Sequence, residues 1–347
     1  MQPEERQENC IVTDWCCLEP VWAAFSLLTG EKEHTLVTEL YGEARTENWK
    51  KKYHFLFEVF PVIGKYQYMN LMDFLLDLPV GEITFESYRE ALFALPEEEL
   101  LWRMLDFGRI PEASKAVLQR AVLDDEAMEE VYGWSFEEES FLQLSAFVRQ
   151  SRKFIAELFM LAEELRSDRL QEFLDEQKEK TQKRLEEIQK GIAEKGGFAF
   201  SEETLGKTFR NRGPYSEFVF ALSYFIPIKA CRYFHTDGEK KRQILFLSNR
   251  DVKRSDEDTV AVLKSISDKA RYRILSLLAK EGPMRGIDIA KKVSLATSTV
   301  SHHMEQLKES GMITEEQVKS AKYFGINRQS VKVLLEDLKN DFDVDSL

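Results

Sequence analysis

GIDIAKKVSLATSTVSHHMEQLKESG, residues 286–311, carries two helical patterns separated by a three-residue break. Gly286 to Val293 is a short helix that turns Ile287, Ala290 and Val293 inward. Ser294-Leu295-Ala296 is the turn, and a second helix runs from Thr297 to Ser310 with Val300, Met304 and Leu307 as its inward stripe. Gly311 closes it. Two helices joined so tightly form a helix-turn-helix. The short turn lets the second helix push its amino end into a DNA major groove, which is wide enough to admit it. The residues at that end suit the task. Thr297, Ser298, Thr299, Ser301 and His302 are small or hydrogen-bonding, so their polar atoms can reach phosphates or base edges. The helix amino end itself favours a phosphate. His303 sits nearer the inward stripe, as a structural or phosphate-contacting residue.

The flanking sequence completes the module. Ser267-Asp268 precedes a helix from Lys269 to Glu281 with Ile274, Leu275 and Leu278 on one face. Ser267 is its predicted N-cap, and Gly282-Pro283 ends it. Downstream, Met312 to Gln317 and Lys322 to Asn327 read as two strands joined by the turn Val318-Lys319-Ser320-Ala321. This is a wing, and Lys319 and Lys322 would lie beside backbone phosphates.

Leu263 to Asn327 resembles the winged helix of the arsenical-resistance repressor (ArsR) family. The resemblance rests on Leu263-Lys264-Ser265-Ile266-Ser267-Asp268-Lys269-Ala270-Arg271-Tyr272-Arg273-Ile274-Leu275, on Ser298-Thr299-Val300-Ser301-His302-His303-Met304, and on Leu307 and Gly311-Met312-Ile313. It covers about a fifth of the chain. It implies a homodimeric transcriptional regulator, a repressor by family default, with Thr297–Ser310 as recognition helix on operator DNA. It also implies dimer contacts from the flanking helices, here Asp258–Ser265 and Val331–Phe342, the latter with the stripe Val331, Leu334, Leu335, Leu338 and Phe342. The alternative is that this stripe packs on its own subunit. The chain departs from the family at three places. Ala296 stands where a capping Ser or Thr is usual, a loss of about 1 kcal/mol unless Thr297 caps one residue later. The wing has Ser320-Ala321-Lys322 in place of a glycine–arginine turn. The positions of the family's metal-binding cysteine pair are Arg285 and Ile287, and no histidine follows His303, so no metal site of the family is expected.

Charge separates this module from the rest. The 347-residue chain carries a net −13, yet residues 259–333 are net +6 and residues 1–258 net −15. A protein so acidic would bind nucleic acid only through a local basic face. All aromatic residues but Tyr272, Tyr323, Phe324 and Phe342 precede residue 259, so the acidic body can build its own core. The expected fold is mainly α. It comprises a large helical effector and dimerisation domain over 1–248 with one β-hairpin, a linker over 249–257, and a winged helix-turn-helix over 258–342. The polar run Ser248 to Asp256 marks the linker.

Within the body, Ala91 to Leu105, Ala113 to Leu123 and Phe136 to Phe147 show helical spacing, punctuated at Pro79-Val80-Gly81, Pro96 and Pro111. Ser151 to Lys195 is one long helical pattern broken near Ser167-Asp168 and ended by Gly196-Gly197. Its second half, with Leu170, Phe173, Leu174, Leu185, Ile188 and Ile192, would be either a coiled-coil arm or an amphipathic helix lying on its own domain. Too few heptads are clean, which favours the second. Lys229–Phe234 and Arg242–Leu247 form a hairpin around Asp237-Gly238, with Ile244 to Leu247 buried. Phe218 to Ile228 is the most apolar stretch, but it is too short for a membrane span and contains Pro227.

Other constellations carry less. Adjacent histidines His302 and His303 point about 100° apart on a helix and do not chelate one ion. Gly206-Lys207-Thr208 lacks the earlier glycine of a phosphate loop, since Ser201 stands there. Cys10, Cys16, Cys17 and Cys231 form no CxxC pair, and a buried-core role is preferred to a redox sensor. His34 and His54 are isolated, and Glu137-Glu138-Glu139 reads as a solvated helix start. No nucleophile–base spacing supports an enzyme. The amino end lacks the basic start and apolar core of a signal peptide, so a cytoplasmic protein with no membrane contact and no cofactor is expected. Its partners would be double-stranded operator DNA, a second copy and a small-molecule or protein effector. The rival function is a protein–protein scaffold that uses the winged helix for docking.

Overall fold

A computed structural model describes residues 9–29, 35–63, 68–105, 114–134, 141–206, 209, 215–226, 230–235, 241–250, 256–318 and 321–343. By contacts the chain divides into two units, one holding Asn9–Gln189 and Glu217–Arg250, the other Lys190–Ser216 and Asp251–Leu347. The fold is mainly α, as the sequence predicts.

The larger unit begins with β1 (Asn9–Thr13) and continues through α1 (Glu19–Thr29), α2 (Leu36–Tyr41), α3 (Glu43–Lys52) and α4 (His54–Val59). A 3₁₀ segment, Tyr68–Asp77, leads to α5 (Phe85–Ala94), α6 (Glu97–Met104), α7 (Lys115–Ala121), α8 (Asp125–Tyr132), α9 (Phe141–Arg149), α10 (Ser151–Leu165) and α11 (Asp168–Glu176). These helices stop where the sequence offers stop and start signals. Thr84 and Ser87 make a reciprocal capping box at α5, and the Asp124 side chain accepts from the backbone of Glu126 and Ala127 at α8. Trp22, Phe25, Phe85, Tyr88, Phe147 and Phe154 are fully buried in one continuous core.

The long helical pattern breaks at Ser167, as expected, and again at Gln177, where α12 (Lys178–Lys195) follows. Leu170, Phe173 and Leu174 pack on the core, so α11 lies on its own domain and is not a projecting arm.

The β structure is richer than the predicted hairpin. β3 (Ala230–Phe234) and β4 (Arg242–Ser248) do pair antiparallel. They belong, however, to a four-stranded sheet of order β1-β2-β4-β3, in which β2 (Glu217–Ser223) runs parallel to both β1 and β4. Val219, Ala221, Ile244, Phe246, Cys231 and Tyr233 share one face and join the helical core. Phe218, Phe220, Leu222, Leu245 and Leu247 on the other face are buried as well. Burial on both faces is why these strands read as unbroken apolar runs. Phe218 to Ile226 is thus mostly an internal strand, and among the described residues no helix is long and apolar enough to cross a membrane. The Asp237-Gly238 turn, Glu137-Glu138-Glu139 and His34 lie outside the described residues. Ser248 closes β4, and Asn249 is buried, with its amide on the Thr181 hydroxyl at 3.0 Å.

The smaller unit contains α13 (Gly197–Leu205), α14 (Asp256–Ile266), α15 (Lys269–Glu281), α16 (Gly286–Val293), α17 (Thr297–Glu309) and α18 (Arg328–Asp341). Its sheet joins β5 (Met284–Arg285), β7 (Ala321–Ile326) and β6 (Ile313–Val318) in that order, all antiparallel. The core is Val262, Ile274, Leu278, Ile289, Val293, Val300, Met304, Leu307, Met312 and Leu334. α13 packs against α18.

Two sequence expectations are corrected here. The cap of α15 is Asp268, not Ser267. Asp268 Oδ1 accepts from the backbone N–H groups of Ala270 and Arg271 at 2.9 and 3.0 Å, while the Ser267 hydroxyl donates back to Lys264. On α16, Ile287 points outward at 50% exposure and Ile289 is fully buried in its place.

Candidate nucleic-acid interface

α16 ends because Ser294 takes a left-handed conformation, φ +57°, and its N–H closes on Ala290. The chain then enters α17 through extended Ala296. Val300, Met304 and Leu307 are buried and fix the phase of α17. That phase exposes Thr297, Ser298, Thr299, Ser301 and His302, as expected from the sequence, while His303 is half-buried. The five exposed side chains all lie between Thr297 and His302, at the amino end of α17.

Local hydrogen bonding determines what this surface can offer. No side chain caps α17, as Ala296 requires. Its first-turn N–H groups therefore face outward with their partial positive charge. The Ser301 hydroxyl donates to the Thr297 carbonyl at 3.0 Å, which leaves its oxygen lone pairs as acceptors for an amino group. The His302 ring is exposed. The His303 Nδ1 is enclosed without a hydrogen-bond partner among the described residues. The two imidazoles are 6.3 Å apart between centroids and tilted by 42°. Among the described residues no cluster of three or more His, Cys, Asp or Glu side chains could hold a metal. At the first position expected of the family's cysteine pair, Arg285 is paired with Asp288 at 2.8 Å.

The wing forms with Ile313 opposite Ile326 and Val318 opposite Ala321. Lys319 lies outside the described residues. Lys322 is exposed but not free. Its ammonium is 2.8 Å from Glu315, which also holds Lys308 at 3.0 Å. Burial alone would raise the Glu315 carboxyl, but the two ammonium groups outweigh it and hold it below the usual range.

Sequence reasoning missed the brace that sets α17. The Arg271 guanidinium donates to the carbonyls of Ser265 and Lys264 and to the Gln306 side chain. One side chain thus ties the end of α14 and the start of α15 to the last turn of the recognition helix. The Asp-x-x-Arg pattern at Asp268 and Arg271 was the available signal. Asp268 caps, and its carboxyl is held low by the backbone N–H of Arg271.

The family model for bacterial regulatory proteins of the arsR family matches residues 268–315. A cadmium resistance transcriptional regulatory protein CadC homolog of Staphylococcus aureus is 31% identical over 84 residues, 24% of this chain and 69% of that protein. The transcriptional repressor SdpR of Bacillus subtilis (strain 168) is 36% identical over 66 residues, 19% of this chain and 72% of that one. Among solved structures, a homodimeric winged helix-turn-helix DNA-binding domain from Mycobacterium bovis, a possible ArsR-family regulator, matches at 22% identity and a TM-score of 0.22. It covers 26% of this chain and 90% of that one.

Proposed function

The chain belongs to the arsR family of bacterial regulatory proteins, and we propose that it is a repressor that binds operator DNA as a homodimer under the control of its larger unit. The observation that carries this reading is the exposed polar surface at the amino end of α17, set in a module of net +6 on a chain of net −13. Thr297, Ser298 and Thr299 with the first-turn N–H groups would engage phosphate, and Ser301 and His302 would meet base edges. His303 supports the helix from within. Lys319 and Lys322 flank the groove as phosphate contacts, Lys322 at the cost of its pairing with Glu315.

Dimerisation draws on apolar side chains that the smaller unit leaves exposed. Val331, Leu334 and Leu338 of the predicted α18 stripe pack on their own core. Leu335 and Phe342 of that stripe are 55% and 70% exposed, and Val260 of α14 is 45% exposed. A second copy would cover them. The effector domain is proposed from its size and from its separate core, neither of which DNA binding requires. An effector acts by favouring one spacing of the two recognition helices over another.

Selection of bound sequences from a random duplex library with the full-length protein, at two salt concentrations, tests this. An enriched palindrome that persists at the higher salt is expected. Binding without enrichment that vanishes as salt rises would contradict sequence-specific regulation and favour a protein-docking winged helix.

A further inference from the structure

Glu305 is an unexpected residue on a surface that meets a polyanion. It follows Ser301 by four residues and His302 by three within α17, so its direction from the helix axis falls between theirs. Ser298, Ser301, His302 and Glu305 are spaced i, i+3, i+4 and i+7 and therefore share one face. All four are exposed, and the stripe that packs inward is Val300, Met304 and Leu307. The first three are the side chains assigned above to phosphates and base edges. Glu305 continues their row about 6 Å further along the helix than Ser301.

Its carboxylate is also uncommitted. The one Lys or Arg of α17 is Lys308, and it is held by Glu315 at 3.0 Å. The Arg271 guanidinium approaches the same turn but is spent on the carbonyls of Ser265 and Lys264 and on Gln306. Among the described residues no hydrogen bond or ion pair reaches the Glu305 carboxylate. Glu309, one turn further on, is exposed and acidic as well. A carboxylate in that position repels every phosphate it approaches, on any sequence. Only a donor on a base edge returns that cost.

We propose that Glu305 is a specificity-determining residue of the recognition helix, and that it accepts a hydrogen bond from the exocyclic amino group of a cytosine in each half-site. The proposal rests on the reading of α17 as the DNA-binding helix. An ionised carboxylate has acceptors only. In the major groove guanine presents N7 and O6, and thymine presents O4, all of them acceptors. Adenine sets its amino group beside the acceptor N7, whereas cytosine presents N4 as a donor alone. The charge that recognises cytosine weakens binding to other sequences. Glu305 thus widens the gap between operator and bulk DNA instead of adding affinity to both.

The test is selection from a random duplex library with the full-length wild type and with Glu305→Gln. The substitution is nearly isosteric at an exposed, unpaired site, so the melting temperature should not change. The wild type should enrich a palindrome with cytosine fixed at one position of each half-site. A glutamine amide pairs with adenine N6 and N7, so the variant should enrich adenine at that position and leave the rest of the motif as it was. On the duplex selected by the wild type, Glu305→Gln should lose about tenfold in affinity. On a scrambled duplex it should gain, because a charge facing phosphates is gone. Glu309→Gln gives the effect of charge alone, with the same change on both duplexes. An unchanged motif in Glu305→Gln, or an equal gain on both duplexes, would overturn the proposal and leave α17 as the reader. No enrichment with the wild type would contradict the reading of α17 itself, and this proposal with it.

Discussion

Glu19 shows how much a single side chain can set. It is the first residue of α1, fully enclosed, and its carboxyl accepts from the Ser223 hydroxyl and the Tyr224 N–H, both at 2.8 Å. Burial raises its pKa from 4.5 to about 7 despite these bonds. Below the unfolded value the group is protonated in both states, and its contribution to stability is fully present. As pH rises through about 7, the folded state ionises it only at a cost, and that contribution is lost. The stability of the wild type relative to Glu19→Gln should therefore fall as pH rises from about 4.5 to about 7, by roughly 3 kcal/mol at most, and level off above that. A difference that stays flat over that range would show that the carboxyl is not desolvated. At the other end of the chain, Asp268→Ala should cost about 1 kcal/mol as a lost cap, and Ser267→Ala much less. Denaturant titration distinguishes the two. Sequence alone did not, because Ser and Asp are near-equal caps and stand side by side. Only the direction of the Ser267 hydroxyl, back toward Lys264, separates them.

Elements were legible in proportion to how local their signals are. The helix-turn-helix and wing could be placed because caps, glycines and three- or four-residue stripes lie within short windows. The phase of α16 was harder. Ile287 and Ile289 lie about 160° apart on a helix, and eight residues offer too few turns to choose between them. Only packing against α15 and α17 decides for Ile289. β1 and β2 were invisible for another reason. They pair in parallel although far apart in sequence, β1 is only five residues long, and β2, an apolar strand buried on both faces, has no period that marks it as strand. The Arg271 brace is likewise long-range. Arg271→Ala should loosen α17 and weaken binding to all duplexes, with a lower melting temperature for the smaller unit. Full affinity in that variant would remove the brace from the interface. Glu315→Gln makes the opposite prediction. It frees Lys308 and Lys322, so affinity for any duplex should rise and the salt dependence should steepen by up to about two ion equivalents. An unchanged slope would place both lysines away from the phosphates.

For the molecule as a whole, the charge division between an acidic body and a basic module was plain from composition, and so was the existence of two cores. What sequence could not supply is which apolar residues remain uncovered once each core has closed. Three of the five residues in the α18 stripe are committed to their own subunit, which leaves Leu335 and Phe342. Replacing both with Asp in the full chain should shift the species from dimer to monomer in light scattering and weaken operator binding. A dimer that survives would move the interface to another part of the molecule. The most direct test of the central claim, that the amino end of α17 reads DNA sequence, is the affinity of Ser301→Ala/His302→Ala for a selected duplex and for a scrambled one of equal length. A loss of roughly 1–3 kcal/mol per base contact, confined to the selected duplex, is the expected result. An equal loss on both duplexes, or no loss on either, would contradict base reading by these residues.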